Sequence, residues 1–292
     1  MSSRRATLVG FSAVLMWALL ALFTVASGTV PPFQLAAMCF TIGGGIGAAS
    51  WLFRPGAAGH LRQPAKVWLL GVAGLFGYHF FYFTALRNAP AVEAGLIAYL
   101  WPLLIVLLSA MLPGERLGWH HVAGGLIGLA GTAMIVTGGE SVSFNPAYLT
   151  GYLAAMMCAL TWSLYSVLSR SFGKVATDVV VGFCLVTAML SFLCHLVLEE
   201  TVWPQSSSQW LAIAALGAGP VGAAFYTWDF GVKHGDIKIL GAASYMAPLL
   251  STLFLIAAGM AEPNWTIAIA CLAITGGAAL AAKDMLFRRA PR

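Results

Sequence analysis

The sequence predicts an all-α, polytopic membrane protein in which ten transmembrane helices form two inverted five-helix repeats around a central cavity. Three observations predict it. Apolar residues make up 60% of the chain and charged residues 9%, with a mean hydropathy of +0.86. A soluble domain carries roughly 25% charged residues, so this much hydrocarbon must face lipid. Runs of about 20 apolar residues, long enough to cross a bilayer, recur along the chain with short loops between them. The chain also repeats itself: 78–104, YHFFYFTALRNAPAVEAGLIAYLWPLL, lies over 224–250, AFYTWDFGVKHGDIKILGAASYMAPLL, without a gap. Arg87 falls on Lys233, Tyr99 on Tyr245 and Pro102 on Pro248, at an offset of 146, half of the 292 residues.

In order, the apolar runs fall near 7–27, 32–53, 66–86, 91–112, 119–138, 148–170, 177–198, 208–232, 238–259 and 264–283. The first follows Arg4-Arg5 and ends in Val25-Ala26-Ser27-Gly28, loosely like a signal-peptide cleavage site. Its apolar region exceeds the 7–15 residues typical of a signal peptide, so it reads as a retained helix. With the N-terminus in the cytoplasm, alternation places 14 of the 15 Lys and Arg on the cytoplasmic side and only Arg87 outside. That asymmetry puts both termini in the cytoplasm. Each repeat, 1–145 and 146–292, holds five helices, an odd number, so the second enters the membrane upside down. Trp17 in the first helix corresponds to Trp162 in the sixth, Gly28 to Gly173, and Gly131 to Gly277. Glu115 and Trp119 correspond loosely to Glu262 and Trp265.

The net charge of +5 comes from basic residues scattered singly between apolar runs. These are topology signals rather than a nucleic-acid footprint. Cys39, Cys158, Cys184, Cys194 and Cys271 are odd in number, lie within apolar runs and form no CxxC pair. They read as packing residues, and neither metal nor cofactor is expected. An intramembrane zinc protease needs HExxH, which His120-His121 lacks, and a serine hydrolase needs a GxSxG that does not occur. The expected partners are a small solute and the lipid bilayer. A channel or scaffold is the third class, disfavoured by the matched inverted halves.

Charged or ionisable groups within the bilayer are costly and usually functional. His79, mid-run in the third helix, is the best polar candidate. A neutral imidazole there could hydrogen-bond a solute or take a proton, or it could be a buried histidine satisfied by a neighbour. Asp229 and Lys233 have the i,i+4 spacing of a helix-surface ion pair. Seven tryptophans near helix ends, Trp228 among them, fit the interfacial belt, and His195 reads as interfacial. Trp17, Trp101 and Trp162 lie mid-helix, where the belt cannot explain them. With Tyr78 and Tyr82 on one face of the third helix, and Tyr99 beside Trp101, they are expected to line the cavity. The alternative is core or lipid-facing filler. Pro102 and Pro248 interrupt the fourth and ninth helices at matched positions, and Gly74 and Pro220 match in the third and eighth. These four read as gating hinges or as kinks that merely shape packing.

The tracts MWALLALFTVASG and TWSLYSVLSRSFG in the first and sixth helices, with AYLWPLL and SYMAPLL in the fourth and ninth, resemble the drug/metabolite transporter superfamily in its EamA-like ten-helix branch. With YHFFYFTAL and LPGERLGWHHVAGGLIGLAGT, the first half is most similar to its aromatic amino-acid exporters. The resemblance implies export of amino acids, aromatic and other neutral ones, from a bacterial inner membrane. Other small metabolites or lipophilic cationic drugs are the alternative cargo. It also implies substrate contacts at Trp17, Tyr78, His79, Tyr82, Tyr99, Trp101 and Trp162. Small multidrug pumps of the superfamily carry a glutamate in the first helix. This sequence has no carboxylate there, which disfavours strict proton-for-drug exchange by that route.

Overall fold

Inside a bilayer each backbone N–H and C=O must be satisfied within the protein, and a helix does this locally. The computed structural model describes residues 2–257, 259 and 262–283. Its spans are α1 (Ser3–Ala26), α2 (Pro32–Phe53), α3 (Ala65–Asn88), α4 (Ala91–Met111) and α5 (Trp119–Thr137), then α6 (Pro146–Ser171), α7 (Val179–Leu198), α8 (Ser207–His234), α9 (Ile237–Ala257) and α10 (Trp265–Ala281). Among the described residues there is no strand. The first nine are long and apolar enough to cross a membrane, and α10 is an apolar helix of 17 residues. The largest difference from the expected runs is at α1, which begins at Ser3 rather than at 7. Arg288, Arg289 and Arg292, counted in the charge argument, lie outside the described residues, as does the end of the second repeat.

Local chemistry sets the helix ends. Pro32 starts α2, where its missing N–H costs nothing. The side chains of Ser206 and Asn264 accept the Gln209 and Ile267 N–H groups at the starts of α8 and α10. Gly138, at φ 66°, ends α5 in the left-handed conformation that suits glycine.

Helix pairing follows a twofold pattern. The contact of α1 with α8 is mirrored by that of α6 with α3, while α2 meets α7, α4 meets α9 and α5 meets α10. Each of the last three pairs joins a helix to its own counterpart, as a pseudo-twofold axis requires. Close approach depends on small residues. A Cβ on Gly231 would lie 2.4 Å from the Gly10 Cα, and one on Gly124 2.4 Å from the Gly277 carbonyl oxygen.

Both ends of the α2–α7 pair are clasped. At one end Arg54 meets Asp178 at 2.7 Å. At the other, the buried Glu199 carboxylate accepts the Phe33 and Gln34 N–H groups at the start of α2 and also binds Arg87 and His195. His195, expected at the interface, is therefore buried within this network, and its Nε2 meets Thr201 Oγ1 at 2.9 Å.

Candidate functional site

The helices that converge on the centre are irregular at matched places. A π turn occupies Ala73–Gly77 in α3 and another Gly219–Ala223 in α8, at the same offset of 146. They hold Gly74 and Pro220. A π turn disturbs the i→i−4 ladder and leaves carbonyls open to other donors. In α3 the Leu75 carbonyl accepts His79 Nδ1–H at 2.7 Å, and in α8 the Pro220 carbonyl accepts Trp17 Nε1–H at 3.1 Å. Because a carbonyl can only accept, the His79 proton sits on Nδ1, and the Nε2 of the neutral ring is an acceptor.

Helices α4 and α9 break between Ala98 and Trp101 and between Ala243 and Met246. The break precedes Pro102 and Pro248 rather than falling at them. Each proline sits in the first turn of the following segment, where it displaces no helical hydrogen bond. Just past the α4 break, the Leu103 N–H donates to Tyr245 Oη across to α9.

Six of the seven expected aromatic residues meet in one cluster. Ring centroids lie 5.7 Å apart for Trp17 and Trp162, 6.1 Å for Trp17 and Trp101, and 6.4 Å for Trp101 and Trp162. Tyr78 stands 5.7 Å from Trp162, 5.2 Å from His79 and stacks on Tyr82 at 6.1 Å. Tyr99 lies at the α4 break. Among the described residues no aromatic ring lies in stacking or edge contact with it, but its hydroxyl end lies near those of Tyr78 and Tyr82, and it is two residues from Trp101. Trp101 and Trp162 are buried, while Trp17, Tyr78, His79, Tyr82 and Tyr99 are half-buried although they lie deep within their helices.

Three further rings complete the cluster. Trp228, expected at the membrane surface, is fully buried, 5.1 Å from Trp17 and 6.0 Å from Trp162, and its Nε1 donates to Ser166 Oγ at 3.0 Å. The reason is that α8 continues to His234, which sets residue 228 about 9 Å inside the helix end and against α1. Phe225 stacks on Phe40 at 5.4 Å and meets His79 edge-on at 6.2 Å. At the offset of 146, Phe225 is the counterpart of His79 and Trp228 that of Tyr82. The repeat therefore held a signal for both, whereas nothing in the sequence marks Phe40.

The charges beside the cluster are neutralised. Asp229 and Lys233, expected on a helix surface, form a buried pair at 2.8 Å. Thr177 Oγ1 donates to Asp229, and Lys233 Nζ donates to the Val175 carbonyl. A separate cavity of about 380 Å³ opens between α2, the α6–α7 turn and α8, lined in part by Gly43, Gly47, Arg54, Asp178 and Tyr226.

Inverted five-helix halves with matched π turns and helix breaks, meeting at an aromatic centre, have the architecture of a membrane carrier. The model of the EamA-like transporter family matches residues 4–137 and again 149–282, and the chain belongs to that family. It is a transporter, and the intramembrane-enzyme alternative falls with that assignment. It is 59% identical to the aromatic amino acid exporter YddG of Ancylobacter novellus, over 99% of this chain and 100% of that one. Identity is 28% to the protein of the same name from Salmonella typhimurium, over 86% of this chain and 88% of that one. A biotin transporter of Escherichia coli is 22% identical over 75% of each chain. A solved crystal structure with 58% identity superimposes at a TM-score of 0.93, covering 99% of this chain and 100% of that one.

Proposed function

We propose that this transporter exports amino acids, aromatic and other neutral ones, by alternating access between its two inverted repeats, 1–145 and 146–292. The observation that carries the reading is the ring cluster where the halves meet, flanked by charges that are already paired. Such a site suits a zwitterion with a flat apolar side chain. Full-length similarity to proteins named aromatic amino acid exporters supports the same reading.

Trp17, Tyr78, Tyr82, Tyr99, Trp101 and Trp162 make the walls, with Trp228 joining them. Ring faces and edges hold the side chain by stacking and edge contacts. The neutral His79 Nε2 accepts from the substrate ammonium, and tyrosine hydroxyls donate to its carboxylate. The hinges are the π turns at Gly74 and Pro220 and the breaks ahead of Pro102 and Pro248. No bond is made or broken in the substrate, so the work is binding and relocation. Its similarity to bacterial exporters points to a bacterial inner membrane, and the distribution of Lys and Arg supports both termini and the α8–α9 turn in the cytoplasm.

A competition panel in proteoliposomes tests the cargo. Phenylalanine, tryptophan and neutral aliphatic amino acids are expected to displace labelled phenylalanine, aromatic ones most strongly. Displacement by lipophilic cationic dyes but not by amino acids would overturn the reading.

A further inference from the structure

The two ends of the molecule carry different side chains at matched positions of the repeat. Helices α1, α8 and α9 pack together as one unit. Gly10 packs on Gly231, and the Asp236 N–H in the α8–α9 turn donates to Thr7 Oγ1 at 2.8 Å. Helices α3, α4 and α6 form the corresponding unit, with Ala89 against Gly151 and the Tyr152 hydroxyl donating to Glu93. At the α8–α9 end three charged side chains tie one unit to the other. Glu115, following α4, accepts from Lys238 Nζ of α9 at 2.6 Å and from Arg170 Nη2 of α6 at 2.9 Å. The second Arg170 nitrogen donates to the Val232 and Gly235 carbonyls, at 3.0 and 2.7 Å. A cation on the last carbonyls of a helix satisfies acceptors that have no partner within the helix.

The repeat locates the same positions at the α3–α4 end. At the offset of 145 that pairs Trp17 with Trp162 and Gly28 with Gly173, Arg170 corresponds to Val25; at 146 Lys238 corresponds to Val92, while Glu115 has a loose carboxylate counterpart in Glu262. Both cations of the tie are thus replaced by valine. Val25 and Val92 are 61% and 41% exposed, against 9% for Lys238. One end holds a charge-assisted tie between the two units. At the two matched positions the other end has side chains that can offer only apolar contact, and its ion pair, Arg87 with Glu199, runs from α3 to α7 rather than from unit to unit.

We propose that Glu115, Arg170 and Lys238 are positioning residues of the transport cycle, forming a latch across the α8–α9 end that rests the empty carrier open at the α3–α4 end. The proposal rests on the alternating-access reading above. Turning over requires Arg170 to leave the α8 carbonyls and Lys238 to leave Glu115. Substrate contacts with the ring cluster must offset that loss, which ties reorientation to loading. The return of the empty carrier re-forms the latch.

Amide hydrogen exchange of the full chain in lipid nanodiscs, without substrate, tests this directly. In Glu115→Gln, exchange within 232–243 is expected to rise and exchange within 86–95 to fall, as the ratio of the two states shifts by roughly tenfold, the scale of one lost charge-assisted hydrogen bond. The complementary variant Val25→Arg supplies the missing cation at the open end. It should slow exchange within 86–95 and raise it within 232–243, and it decides the matter if Glu115→Gln does not fold. Unchanged exchange at both segments, or a rise at 232–243 with no fall at 86–95, overturns the latch. Because no substrate is present, a carrier with a different cargo still gives the expected result. Failure here leaves the cargo assignment standing.

Discussion

Trp101 shows how one residue can be read. It lies mid-helix, too deep for the interfacial belt, and it is buried against Trp17 and Trp162 with its carbonyl accepting from Ser163 Oγ. Trp101→Ala removes one wall of the cluster and should raise the KM for aromatic substrates by about three- to tenfold, the scale of one lost aromatic contact. Initial rates in inverted vesicles, with expression checked in parallel, measure it. A smaller effect on aliphatic substrates would separate stacking from a general loss of packing. Trp228→Ala should act the same way, which distinguishes its buried position from the surface position expected of it. Trp17, Trp101 and Trp162 meet one another, and their place away from the helix ends was legible because each lies ten or more positions into its helix. The buried place of Trp228 was not legible, because α8 runs on through the polar residues Lys233 and His234, and sequence alone does not say where a helix stops. His79 was legible as a polar group in hydrocarbon. Its tautomer was not, since the Leu75 carbonyl that fixes it is released by a π turn with no sequence signature of its own.

At the scale of elements, irregularity was legible by position and not by kind. Pro102 and Pro248 pointed to the fourth and ninth helices, but a proline marks the first turn of a helix as readily as a kink, and here the break comes ahead of it. Gly74 and Pro220 pointed to the third and eighth, where the structure has π turns. Helix pairing through small residues carries its own prediction. Gly10→Leu forces a side chain against the Gly231 Cα and Leu240, whose atoms a single Cβ would already approach to 2.9 Å. Overpacking at such a crossing costs about 1–3 kcal/mol and should lower the melting temperature in detergent. Glu199→Ala tests the other joint. It strands the Phe33 and Gln34 N–H groups at the start of α2, where the carboxylate side chain is only 3% exposed. A loss of about 1–3 kcal/mol is expected from the same melts. Nothing in the sequence announced that joint, because Glu199 and Phe33 are brought together only by the packing of α2 on α7.

For the whole molecule, the duplicated chain was the most legible feature, since a gapless offset of 146 and an odd helix count dictate an inverted second half. The ionic tie was hidden by the same symmetry, because both of its cations stand at positions where the halves differ. Its pH dependence follows from its surroundings. Burial pushes the Glu115 carboxyl up, but Lys238 of α9 and Arg170 of α6 outweigh that and hold it below the usual carboxylate range. A depressed carboxyl contributes its stabilisation above its unfolded pKa and loses it as pH falls through the folded one. Opening of the α8–α9 end should therefore stay flat at neutral pH and rise below about pH 4, where carboxylates ordinarily titrate. Exchange within 232–243, followed against pH and corrected for intrinsic rates, should show that rise in the natural protein and lose it in Glu115→Gln. The central claim is that two inverted halves carry a neutral aromatic solute by exposing one site to each side in turn. Counterflow of labelled phenylalanine into proteoliposomes preloaded with unlabelled phenylalanine tests it most directly. The account predicts transient accumulation of label above its equilibrium level, and label that only equilibrates, with no stimulation by internal substrate, would contradict it.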